Sequence, residues 1–164
     1  MPERMKTERM DGTMPDLQIV TFLVGQEEFG VNILLVQEII RLSPVTEVPN
    51  TPDFIEGVIN LRGRVVPVVD LRKRLNMPTT EMTKSTRIII IELDKRVNGF
   101  IVDSVSKVVT VPADSVQSAP DMIMSGVEGD HITGVSRVGE RLIILLDFSK
   151  ILTIQERQQL AGVR

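Results

Sequence analysis

The chain has no cysteine, no tryptophan and no tyrosine, and one histidine among its 164 residues. Without thiols there are no disulfides, no thiolate metal sites and no cysteine nucleophiles, an absence that fits a reducing cytoplasm. Five phenylalanines are too few for the stacking platform that single-stranded nucleic acid requires. An excess of positive charge is also missing. Nineteen Lys and Arg stand against twenty-two Asp and Glu, a formal net charge of −3, whereas phosphate backbones call for clustered cations. No apolar run approaches the ~20 residues needed to cross a bilayer as a helix. The chain reads as soluble.

What is present is ordinary for a folded domain: 42% apolar and 25% charged residues. The length suits one domain, or two small ones sharing contacts. Residues 1–16 mix both charge signs with Gly and Pro, without the apolar core of a signal peptide, and read as a flexible leader. Downstream, β-branched residues dominate Gln18–Val24, Arg64–Leu71, Arg87–Leu93, Phe100–Val102, Val105–Val111 and Arg141–Phe148. Such short runs, broken by Asn98-Gly99 or Arg62-Gly63, predict strands joined by tight turns and an all-β fold of small barrels or sandwiches. Pro67 cannot donate to a ladder, so its strand is expected at an edge or bulged there. Asn32–Ile40 leaves room for a helical turn before a strand. Ser149–Leu160 has the periodicity of one short amphipathic helix.

An internal repeat organises these pieces. Gly57, Val58, Arg64, Asp70 and Leu75 each meet an identical residue 77 positions later, at Gly134, Val135, Arg141, Asp147 and Leu152. Upstream the spacing is 69: Gly30 with Gly99, Val36 with Val105, Ile39 with Val108. The difference is absorbed by a longer second loop within Pro112–His131. The repeat defines two units, about 17–75 and 86–152, joined by the polar connector Asn76–Ser85. Each is too small to be very stable alone, so the two are expected to pack together.

Catalytic chemistry is hard to find. His131, beside Asp130, lacks a second His or Cys to complete a metal site and reads as a solvated loop residue. Asp70 and Asp147 follow apolar strands at matching repeat positions, which favours helix caps over an acid–base pair. No phosphate-binding loop, dinucleotide fingerprint, nucleophile elbow, zinc-protease motif or calcium loop is present. Met122-Ile123-Met124 forms a small apolar patch that either packs beneath its loop or faces a partner. Arg62 stands where the second unit has Gly139. It is either a solvated turn residue or a rigid fork of donors held out to a partner.

The stretch Asn50–Arg72, with Asn60-Leu61-Arg62-Gly63 at its centre, closely resembles the signature segment of CheW adaptors. Phe29–Ile33, Val36–Ile39, Gly99–Val105 and Arg141–Leu152 look like further elements of that family, so the likeness runs from about 17 to 160. It implies a single CheW-like domain of two interwoven SH3-like β-barrel subdomains packed together, with a short C-terminal helix. It also implies a non-catalytic scaffold without cofactor or metal, coupling methyl-accepting chemoreceptors to the CheA histidine kinase at cytoplasmic arrays. By the same resemblance Val36, Gly57, Asn60, Leu61, Arg62 and Val108 belong to a receptor-binding groove. Glu38 and Ile39 are candidates for the surface facing the kinase regulatory domain. The alternatives are an adaptor of a non-flagellar array, serving pili or development, and an OB-like oligonucleotide-binding barrel; an enzyme is the weakest reading.

Overall fold

Ile88, Ile89, Ile90 and Ile91 are all buried, and alternate members of this run enter different hydrophobic cores. Successive strand residues point to opposite faces, so an unbroken apolar run marks a strand covered on both sides. In this computed structural model, which describes residues 16–79, 81–117 and 131–151, it is one of ten strands. They are β1 (Asp16–Val24), β2 (Glu27–Asn32), β3 (Val36–Arg41), β4 (Ile55–Leu61), β5 (Arg64–Asp70), β6 (Arg87–Leu93), β7 (Arg96–Val102), β8 (Ser104–Pro112), β9 (Ile132–Val138) and β10 (Arg141–Leu146). Two one-turn helices, α1 (Leu71–Arg74) and α2 (Phe148–Ile151), follow β5 and β10. A 3-10 turn at Ile33–Leu35 precedes β3, so Asn32–Ile40 does begin with a helical turn before a strand. The leader up to residue 15, the patch Met122–Met124 and the C-terminal helix beyond residue 151 lie outside the described residues.

A shift of 69 carries β1, β2 and β3 onto β6, β7 and β8, and a shift of 77 carries β4, β5 and α1 onto β9, β10 and α2. The sheets do not follow the repeats one by one. Their strand orders are β8-β1-β2-β10-β9 and β3-β6-β7-β5-β4, and the repeat turns one order into the other. Each unit therefore gives its first two strands to one sheet and its last three to the other. The chain passes between sheets twice, at Ile33–Leu35 and at Asp103, the one residue between β7 and β8.

Each sheet curls until its ends meet. Beyond β3, Thr46 pairs with Val58 of β4 through two backbone hydrogen bonds of 2.9 Å. Beyond β8, Gln117 pairs with Val135 of β9 in the same way. The result is all-β: two small SH3-like barrels. Ile59, Val66, Val68, Ile88 and Ile90 fill one, and Ile19, Val111, Ile143 and Leu145 the other. The opposite faces of the same strands, including Phe22, Phe29, Val69, Ile89, Phe100, Ile144 and Leu146, meet in the largest core, between the barrels.

Three expectations need correction, and three strands went unforeseen. Pro67 is on neither an edge strand nor a bulge: β5 lies between β7 and β4, and the irregularity is at Glu56 in β4. Val58, opposite Pro67, spends both backbone groups on Thr46, so this pair exchanges no hydrogen bonds and the missing N–H costs none. Parallel pairing with β7 starts only at Val68. His131 is not solvated but 6% exposed. It stands 77 positions after Phe54, and the two carbonyls play one role, accepting from Asp147 N (2.8 Å) and Asp70 N (2.7 Å). The strand from Arg141 stops at Leu146, because Asp147 caps α2 and Phe148 begins it. Finally β2, β4 and β9 carry too many Gly and charged residues to stand out as strands, being buried largely through one face or a few positions.

Candidate functional site

The β4–β5 turn is shaped by three of its four residues so that the fourth is presented. Asn60 Oδ1 accepts a hydrogen bond from Gly63 N at 2.8 Å, closing the turn. Leu61 packs against the barrel core. Arg62 (φ 52°) and Gly63 (φ 85°) are both left-handed, the conformation of a two-residue hairpin turn that normally selects Asn or Gly. The second unit has Gly139 (φ 63°) in the place of Arg62. An arginine there accepts backbone strain that its counterpart avoids.

From this turn the Arg62 guanidinium reaches across the barrel seam to Glu38 of β3. Nη1 donates to Oε1 at 3.2 Å and Nη2 to Oε2, a bidentate fork. The Arg62 side chain remains 70% exposed and that of Glu38 is partly covered. The hydrogen bonds from Arg62 hold the Glu38 carboxyl below its ordinary value, and Glu38 in turn raises Arg62. A residue expected to face the receptor and one expected to face the kinase thus form one pair.

The remaining candidates separate by exposure. Ile39, on the opposite face of β3 from Glu38, is 39% exposed, and its repeat counterpart Val108 on β8 is 52% exposed. They occupy equivalent positions on the edge strands of different sheets. Val36 is half-buried against the core between the barrels. Gly57 is buried: a Cβ there would lie 2.0 Å from the Thr46 carbonyl oxygen, and its φ of 144° excludes most side chains. Its observed part is to let the Thr46 strap close the barrel.

In one polar cluster only Asp70, read as a cap, gave a sequence signal; Arg72 and Asp103 gave none. Arg72 is buried and donates to both oxygens of Asp70, each at 3.1 Å, and to Asp103 Oδ1 at 3.4 Å. The other Asp103 oxygen accepts from Gly25 N at 2.7 Å, in the β1–β2 turn. Asp70 also caps α1 through the Arg72 amide, as Asp147 caps α2 through that of Ser149. These two carboxylates are committed to structure, and the exposed groups around Arg62 offer hydrogen bonds, charge and apolar contact.

An exposed ion pair and apolar edge residues on paired barrels define a binding module. Residues 18–156 match the CheW-like domain. The chain is 37% identical over 148 residues to the chemotaxis protein CheW of Klebsiella aerogenes, covering 90% of this chain and 89% of that protein. It is 39% identical over 141 residues to CheW of Rhizobium meliloti, covering 86% and 90%. The crystal structure of the scaffolding protein TtCheW from Thermoanaerobacter tengcongensis superposes with a TM-score of 0.79 at 31% identity, covering 85% of this chain and 90% of that one. The chain belongs to the CheW family, a family of non-catalytic chemotaxis adaptors. Among the described residues, no helix is long and apolar enough to cross a membrane.

Proposed function

We propose that this protein couples methyl-accepting chemoreceptors to the CheA histidine kinase, binding the cytoplasmic receptor tip and the kinase regulatory domain at arrays on the inner face of the membrane. The observation that carries this reading is Arg62. It holds a left-handed backbone where the other repeat uses glycine, and from that turn its exposed guanidinium forms a bidentate pair with Glu38. In this reading Arg62, Val36 and Val108 contact the receptor, while Asn60, Leu61 and Gly57 hold the turn and the strap behind them. Glu38 and Ile39 face the kinase, and the Arg62–Glu38 pair is where the two surfaces adjoin.

Pull-downs with a receptor fragment and with the kinase regulatory domain test it. Arg62→Ala is expected to fold normally, keep most kinase binding and lose about tenfold or more in receptor binding. Arg62→Lys is expected to recover only part, because an ammonium cannot copy the planar fork. Unchanged receptor binding removes Arg62 from the site. Equal loss toward both partners with a lowered melting point makes it a structural residue.

A further inference from the structure

The outer face of β3 and its counterpart on β8 share a shape but differ in charge. On β3, Ile39 and Arg41 point to the same side, and the register sets them opposite Ile89 and Arg87 of β6. Cross-strand partners of this kind hold their Cβ atoms about 4.5–5.5 Å apart, and like charges so placed repel. In the other sheet the same positions are Thr110 and Gln18, also directly opposite, and both neutral. At this pair of positions the first sheet therefore carries two cations and the second none.

Nothing among the described residues neutralises those cations. Arg41 is exposed and neither arginine has a carboxylate partner there. Arg87 Nη1 donates to the carbonyl oxygens of Lys84 (2.7 Å) and Thr86 (2.9 Å), which fixes its guanidinium while leaving its charge uncompensated. Exposed Ile39 lies beside Arg41 on this face, and Leu42, also exposed, follows Arg41 in the chain. A surface with two unneutralised guanidinium groups beside an apolar side chain complements a carboxylate set next to apolar residues.

We infer that Arg41 and Arg87 form an anion-reading surface that selects a carboxylate-bearing, apolar-flanked protein segment for β3, and that the neutral Gln18–Thr110 counterpart refuses it. Resting on the partner reading above, the segment belongs to the kinase regulatory domain, since Ile39 lies on the same face. The two barrels then tell their partners apart by charge rather than by shape.

Arg41 is the clean probe, because its side chain is exposed and makes no bond of its own. Arg41→Glu is expected to weaken binding of the kinase regulatory domain about tenfold at about 0.15 M salt, and Arg41→Gln less. The salt dependence of that binding is expected to flatten, while affinity for the receptor fragment and the melting point stay within about twofold and a degree or two of the parent. A wild-type chain that binds both fragments beside an Arg41→Glu variant equal to it overturns the charge assignment alone. Equal loss toward both fragments, or loss toward the receptor only, overturns it as well. A wild-type chain that binds neither fragment overturns the partner reading and, with it, this assignment.

Discussion

Arg72 and Asp103 meet at the point where the chain leaves one sheet for the other, Nη1 to Oδ1 at 3.4 Å. Arg72 belongs to α1, which follows β5 of the β3-β6-β7-β5-β4 sheet, and Asp103 turns the chain from β7 into β8. Because Asp103 also holds Gly25 of the β1–β2 turn, one carboxylate ties a helix of one barrel to a hairpin of the other. The second repeat has Ser149 where the first has Arg72, and among the described residues it has no such clasp.

Removing this buried cation leaves Asp70 buried without its counter-charge. Arg72→Met is therefore expected to cost about 3–5 kcal/mol, the usual penalty for breaking a buried pair from one side. Urea unfolding measures it. A loss below about 1 kcal/mol would show that solvent reaches Asp70 freely.

The turn at Arg62 separates backbone strain from function. Arg62→Gly is expected to melt at or above the temperature of Arg62→Ala, because glycine occupies the left-handed region without penalty. Both variants are expected to lose receptor binding alike. If Gly melts clearly below Ala, the turn has a different backbone in solution.

Gly57→Ala pushes a methyl group against the Thr46 carbonyl and forces alanine to a φ of 144°. The expected cost is about 1–3 kcal/mol. Amide exchange provides the specific reading: Val58 N–H and Thr46 N–H, which bond to each other's carbonyls, are expected to exchange faster, while the counterpart amides of Gln117 and Val135 are not.

Glu28 supplies a pH dependence. Its hydrogen bonds from Arg141, with Nε at 2.9 Å, hold the carboxyl below its ordinary value of 4.5. The unfolded chain therefore takes up this proton at higher pH than the folded one. The stability it contributes is present above about pH 4.5 and is lost as pH falls through the lower folded value. Glu28→Gln is expected to flatten the acid limb of a stability–pH curve below pH 4.5, and an unchanged limb counts against the pair.

Much of the fold could be read from local pattern. The buried positions Val66, Val68, Ile89, Ile91, Ile143 and Leu145 sit in apolar runs whose two buried faces leave no polar alternation. The two Asp caps follow from short polar side chains placed between a strand and a helix. Gly30 and Gly99 fall together in the repeat because the same neighbour crowds each: an added Cβ would lie 2.4 Å from Ile19 Cγ2 in one and 2.8 Å from Ile88 Cγ2 in the other. Of the site, the exposed Arg62 and its glycine counterpart were visible in the alignment of the repeats.

Tertiary structure decided the rest, wherever the answer depended on which distant segment comes alongside. Pro67 is compatible with an inner strand only because Val58 turns its backbone to Thr46. His131 is buried where its carbonyl accepts from Asp147 N across the β9–β10 hairpin, as that of Phe54 accepts from Asp70 N. The pairing of Arg62 with Glu38, 24 residues apart, requires the barrel seam to bring a turn against an edge strand. By itself the sequence determined the strands with long apolar runs, the caps and the two repeats, since propensity and periodicity act between near neighbours. Which strands share a sheet was fixed by packing across the whole chain: the apolar faces of both repeats are buried only when each lends its first two strands to the other's barrel.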